Sequence, residues 1–317
     1  RRRIAIKLVD DAQTYLCIIA TLRGEYEEAI EYYQNLLETV ASRAKEASNG
    51  SIQASTEPYE KIKVDNVENY EYQVALDPYY ISLLSLEPLA HEVLFRMARN
   101  YQLLANKELE NSLRVSFKPK ELESSKIRFK NYAKNSIAYY SQLVLTQAYS
   151  PFRRAALFYR ADLYKGLGLY NQAAQDLLSV INQPVNFPGS MEILSLGFEG
   201  DLTEIINPPL SVASLELGKI YFDQGNYFAA LEAFSISRNS GENEQQVIQA
   251  KVEFAKSLIA SKDWLRSEIF LTELIREGEL ATVENQAYYP PELIIELGKT
   301  KIELGAFEEG FQTLKKV

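Results

Sequence analysis

The strongest constraint on the fold of this chain is a residue frame that returns along it. Its clearest copy runs Ser214-x2-Leu217-Gly218-x2-Tyr221, then Gly225-Asn226-Tyr227, then Ala230-x3-Phe234. Leu217, Gly218 and Tyr221 fall on one face of a first helix, and Gly218 leaves room for a partner to approach. Gly225 supplies the turn, and Ala230 and Phe234, four apart, face back from a second helix. Near the N-terminus Leu16-Cys17-x2-Ala20 leads to Gly24-Glu25-Tyr26, Ala29 and Tyr33. A third copy has Ala161, Tyr164, Gly168, Tyr170, Ala173, Leu177 and a closing Pro184. A fourth has Phe254, Ala255, Leu258, Lys262-Asp263-Trp264, Ser267 and Leu271. A fifth has Leu297, Gly298, Gly305-Ala306-Phe307, Gly310 and Leu314.

This frame resembles the tetratricopeptide repeat, with the leading Trp of that pattern replaced, over about two-thirds of the chain. The resemblance implies an all-α fold, a right-handed α-solenoid superhelix of antiparallel helix pairs. A weaker unit has Leu94–Leu104 as a first helix, with Ala98 and Tyr101. Its partner is Ile127–Leu145, with Ile137, Tyr140, Leu143 and Val144 at helical spacing. Residues Asn106 to Glu123, with Lys118-Pro119-Lys120, are expected to be an insertion between them. The turn residues at 168, 225, 262 and 305 lie 57, 37 and 43 apart, whereas the family repeats at about 34.

The excess falls into two stretches, giving a domain map. Residues 1–40 form one repeat, 41–87 a polar insertion, and 88–148 the divergent pair. A repeat at 151–184 and an irregular insertion at 185–209 follow, rich in Gly and Pro (Phe187-Pro188-Gly189, Asn207-Pro208-Pro209). Residues 210–317 hold three repeats. The last repeat lacks a polar capping helix after Val317, so a longer protein is expected. The insertions are expected either to carry function or to be disordered, with capping or bracing of neighbouring repeats as a further reading.

Charge and composition exclude several functions. Acids outnumber bases 43 to 34, for a net charge of −9, so a nucleic-acid partner, whose phosphates demand clustered Lys and Arg, is not expected. The one dense basic run, Arg1-Arg2-Arg3, reads as a solvated helix end, with a nuclear-type signal or a phosphate contact as the alternatives. No apolar run reaches the roughly 18 residues that a bilayer span needs, so no direct membrane insertion is expected. The single Cys17 lies among Tyr15, Leu16, Ile18 and Ile19 and reads as a small core residue. One Cys, one His and two Met fit an oxidising or metal-scavenging compartment such as a bacterial periplasm, with a cytoplasmic setting as the alternative.

No enzyme is expected. His91, the only histidine, has no nucleophile motif near it, and Cys and His together number two where a zinc site needs about four ligands. Gly166-Leu167-Gly168 lacks the Lys-Ser/Thr of a phosphate loop and reads as a helix turn. Glu25, Glu27, Glu28 and Glu31 sit at a helix start, where acids favour the dipole. No cofactor and no metal are expected.

The resemblance implies that first helices line a concave surface. Lys219, Lys256 and Lys299 each follow the small contact residue of their helix, flanked by Leu215 and Phe222, Val252 and Ile259, Ile295 and Ile302. A lysine row between apolar flanks is suited to an extended or helical peptide carrying carboxylates. The alternative is that the lysines merely keep these helices soluble while the flanks pack on neighbours. Asp162 takes the equivalent point in the preceding repeat. Of 21 tyrosines, Tyr26, Tyr33, Tyr164, Tyr170, Tyr221 and Tyr227 belong to the frame. The pairs Tyr79-Tyr80 and Tyr288-Tyr289 read as interface anchors or as staples at helix starts.

The expected function is a non-enzymatic scaffold or adaptor that binds a protein or peptide, within a cell-envelope assembly. The alternatives are a cytosolic co-chaperone-like adaptor, a structural subunit assembled through its insertions and convex face, and a regulatory domain of a larger enzyme.

Overall fold

The computed structural model describes residues 2–47, 88–146, 150, 152–182, 208–241, 244–283 and 292–316. Both tyrosine pairs, Pro184, residues 48–87 of the first insertion and 185–207 of the second lie outside the described residues. Twelve helices and no strand occur among the described residues.

The described residues divide into two compact units, one reaching to Asp176 and the other made of Leu177–Asn182 and the residues from Pro208 onward. The first holds α1 (Arg2–Leu22), α2 (Tyr26–Ala47), α3 (Pro88–Arg114), α4 (Pro119–Thr146), α5 (Arg153–Gly166) and the first half of α6 (Tyr170–Asn182). The second holds α7 (Leu210–Asp223), α8 (Tyr227–Ser240), α9 (Glu244–Ala260), α10 (Trp264–Val283), α11 (Glu292–Glu303) and α12 (Phe307–Leu314). Within each unit, successive helices pack on their neighbours.

The pairs are antiparallel, as their cross-contacts require. Arg43 on α2 holds Asp10 on α1 through two 2.8 Å contacts, Ser136 on α4 donates to the Ala98 carbonyl on α3, and Ser237 on α8 donates to the Ser211 carbonyl on α7. In each pair the late residues of one helix meet the early residues of the other.

One turn closes five of these pairs. Gly24, Gly168, Gly225, Lys262 and Gly305 all have positive φ, between 60° and 84°. The following N–H in each case bonds back five residues, from Glu25 to Ala20, Leu169 to Tyr164, Asn226 to Tyr221, Asp263 to Leu258 and Ala306 to Lys301. This is the Schellman arrangement, which satisfies orphan carbonyls at the helix end and needs a left-handed residue. Glycine adopts that conformation freely; Lys262 does so at a cost of about 1–2 kcal/mol. The next helix then starts on Tyr26, Tyr170, Tyr227, Trp264 or Phe307, and Asn226 caps α8 by accepting from the Ala229 N–H.

Small residues bring the paired helices together. A Cβ on Gly218 would lie 2.4 Å from the Phe234 ring, and Phe234 has no solvent exposure. In the last pair, Cβ atoms on Gly298 and Gly310 would meet Leu314 and Ile302 at 2.6 and 2.7 Å.

The α3–α4 pair departs from this scheme. Residues 106–123, expected to be an insertion, are instead the facing ends of two long helices of 27 and 28 residues. Lys118 N–H bonds to Val115, no residue of this turn has positive φ, and Pro119 opens α4 with its φ preset for a helix. Helical periodicity carries straight through to the turn, so nothing is inserted. At its base this hairpin is knit to the rest of its unit. Phe95 stacks on Phe152 at 5.1 Å, Tyr140 donates to Gln102, and Gln102 donates to Asp162 on α5.

Candidate interaction surfaces

The residues with most chemical potential are largely withdrawn from solvent. Cys17 is fully buried, and burial pushes its thiol up to about 12, so it stays protonated near neutrality. Both ring nitrogens of His91 are out of solvent contact. Glu25, Glu27, Glu28 and Glu31 are exposed at the beginning of α2. No group of His, Cys, Asp and Glu arranged to hold a metal occurs among the described residues.

Lys219, Lys256 and Lys299 occupy the same register of α7, α9 and α11, six residues before Lys or Gly with positive φ. Each donates to a glutamate three residues earlier: Lys219 to Glu216 at 2.7 Å, Lys256 to Glu253 at 2.8 Å and Lys299 to Glu296 at 2.7 Å. Their side chains are 35%, 51% and 60% exposed, so the row becomes more open toward α11. With a glutamate beside every lysine, its field is mixed rather than cationic.

The apolar flanks divide. Leu215 is buried in the core shared by α7, α8 and α9, and Phe222 packs against it. Val252 is buried in the core formed with α10 and α11, and Ile259 packs against that core. Ile295 and Ile302 are half-buried, Ile302 beside Gly310. Five of the six flanks are therefore engaged between helices, Ile295 being the exception. Asp162 accepts from Gln102 at 3.1 Å.

A second surface lies on the α3–α4 hairpin. Between Lys107 and Arg128 only Ser125 is buried, so the last turns of α3 and the first of α4 extend beyond the packed core. The nine final residues of α3 correspond to about 13 Å of helix. This end exposes Leu109, Leu113 at 73% and Phe117 at 95%. Glu108 fastens it: Arg128 holds its carboxylate at 2.9 Å and Ser125 Oγ lies 2.7 Å from it. Arg128 thus keeps the Glu108 carboxyl below its usual range, against the opposing effect of burial. Lys120, Ser124 and Arg128 line an open cleft of about 460 Å³ between the helices.

Residues 107–134 carry eight Lys and Arg against four Glu, in a chain whose net charge is −9. Lys107, Lys120, Lys126, Lys130 and Lys134 make no ion pair among the described residues. Lys126, Lys130 and Lys134 recur every four residues along α4, which places them on one stripe. Sequence reasoning singled out only Lys118-Pro119-Lys120 here. A local charge count would have found the rest.

These features define an all-α protein of adjacent packed helix pairs, compatible with a helical-repeat fold. No family model matches the chain, and no curated protein matches it. No helix among the described residues is long and apolar enough to cross a membrane.

Proposed function

We propose that the helix pairs are divergent tetratricopeptide repeats, wound in that family's right-handed sense. The chain then acts as a non-enzymatic scaffold that holds a partner protein within a larger assembly, with a bacterial cell envelope as its setting. The observation that carries this reading is the return of one turn geometry in five pairs. Such repetition sets outward residues of successive first helices in one register, as Lys219, Lys256 and Lys299 are. Repeat folds use surfaces of that kind for extended contacts.

Affinity capture with the wild-type chain and its Lys219→Glu/Lys256→Glu variant as paired baits tests the groove, with circular dichroism confirming that both fold. A partner kept by the wild type and lost by the variant places binding on this row. Identical partners on both baits would move binding elsewhere and end the groove reading.

A structural-subunit role is favoured by a different observation. On α1, Leu8, Ala12, Tyr15, Ile19 and Leu22 follow alternating steps of four and three, and all five are exposed. An apolar seam of this spacing is a common assembly surface. Light scattering across a concentration series separates the roles: a monomer throughout removes self-assembly through this seam.

A further inference from the structure

We propose that the end of the α3–α4 hairpin docks on the surface of an anionic phospholipid bilayer. This partner is additional to the protein held by the scaffold, and the contact is peripheral, with no helix crossing the membrane.

Phe117 is almost wholly exposed and Leu113 nearly three-quarters so. A bare aromatic beside a bare leucine at a helix turn gains most where both leave water together, at the boundary between headgroups and acyl chains. Lys120, which makes no ion pair among the described residues, follows them in sequence. Arg114 and Lys118 are paired with Glu110 and Glu121, and the unpaired stripe of Lys126, Lys130 and Lys134 carries the positive charge along α4. Anionic headgroups attract each such cation near the surface.

Charge also selects this end of the molecule. Residues 107–134 have a net charge of +4 and the other residues together −13, so an anionic surface repels the remainder and attracts the hairpin. The lysines of α7, α9 and α11 do not compete, because each is matched by its own glutamate. A protein partner fits less well. A stable protein interface draws on about 20–30 residues a side with matched shape. The turn offers a few projecting side chains, and a bilayer requires no matching socket. In the cleft, which Glu121 also lines and where Arg128 is held by Glu108, Lys120 and Ser124 add donors suited to a headgroup phosphate.

The test is sedimentation of the full chain with vesicles of phosphatidylcholine alone and with 30% phosphatidylglycerol, at low and at high salt. The wild type is expected to sediment with the anionic vesicles and to be released by salt, as screening requires. Lys126→Glu/Lys130→Glu/Lys134→Glu is expected to lower the partition coefficient at least about 100-fold, from about fivefold per lysine charge removed before the added glutamates repel. Phe117→Ser, which leaves every charge in place, should lower it about tenfold. Lys219→Glu/Lys256→Glu should change it less than twofold, separating this surface from the groove. Circular dichroism must show each variant folded. Equal sedimentation with both vesicle types, or anionic binding that survives the triple reversal, overturns the proposal. So does retention of the chain on immobilised polyglutamate through Lys126, Lys130 and Lys134 without vesicle binding, which would assign the basic stripe to an acidic protein.

Discussion

The helix pairs α5–α6 and α7–α8 share a turn but close in opposite ways. In α7–α8, eight residues before the turn glycine, stands Leu217, and eight after it stands Ala233, both buried. The same two positions of α5–α6 hold Arg160 and Asp176, joined by two 2.7 Å contacts with side chains only 12% and 8% exposed. Arg160 also donates to Ser141 on α4. Burial pushes the Asp176 carboxyl upward while the guanidinium pulls it back. One frame thus accepts either two buried apolar residues or a buried ion pair at these positions. The frame itself resides in the turn and the small residues, while these two positions are free to vary.

The sharpest way to break this equivalence is Asp176→Ala. It leaves the Arg160 cation buried without its counter-ion and should cost about 3–5 kcal/mol, read as a fall in the urea midpoint. Arg160→Leu/Asp176→Ala installs the pair found in α7–α8 and should recover most of that loss, because apolar replacements of buried ion pairs are commonly neutral. A double variant as unstable as the single one would show that the two pairs are not interchangeable.

The reverse exchange probes the glycine. Ala161 holds the position in α5 that Gly218 holds in α7. Gly218→Ala drives a methyl into the buried Phe234 ring, an overpacking cost of about 1–3 kcal/mol. Better helix propensity returns up to about 1 kcal/mol. A net loss of about 1–2 kcal/mol is expected. Adding Phe234→Leu, the residue type that Leu177 supplies at the corresponding point of α6, should relieve the strain, and a double-mutant cycle should report coupling. Additive effects would show that the ring and the glycine do not constrain each other.

A third exchange concerns the turn, where α9–α10 is the exception. Lys262 is the only non-glycine residue with positive φ among the described residues. Lys262→Gly removes left-handed strain at some cost in unfolded-chain entropy and should stabilise the protein by about 0.5–1 kcal/mol. Gly225→Lys should lose a similar amount. A destabilising Lys262→Gly would mean that the lysine side chain contributes more than its backbone costs.

These turns explain how much of the fold was legible. Five pairs were readable because a left-handed residue, an aromatic two positions later and a small residue five positions later recur together, and those needs are local. Even Lys262 stood out through the Trp264 and Ser267 that follow it. The α3–α4 hairpin had no such marker: its turn lacks a left-handed residue, and Pro119 suggested an interruption where it starts a helix. Candidate sites were harder to read, because partnership is a property of space. Glu216, Glu253 and Glu296 were visible in sequence, but their bonds to the lysine row became evident only in the folded helices. Burial of Leu215 and Val252 depends on neighbouring helices that periodicity alone does not place.

The smallest expected effect separates α3–α4 from both glycine-turn pairs. Its outer end is tied by Glu108, Ser125 and Arg128. Arg128 holds the Glu108 carboxyl below its ordinary value, so the folded hairpin binds that proton less readily than the unfolded chain. The stability this contributes is complete above the ordinary carboxylate range, about pH 4, and is lost as pH falls through the depressed folded value. Amides between 107 and 128 should therefore lose hydrogen-exchange protection below about pH 4, after correction for intrinsic rates, while those of α7 and α8 change less. In Glu108→Gln the hairpin should be less protected at neutral pH and should lose less on acidification. An unchanged pH response in that variant would place the acid sensitivity in other carboxylates, and would leave Glu108 as a packing partner of Ser125 alone.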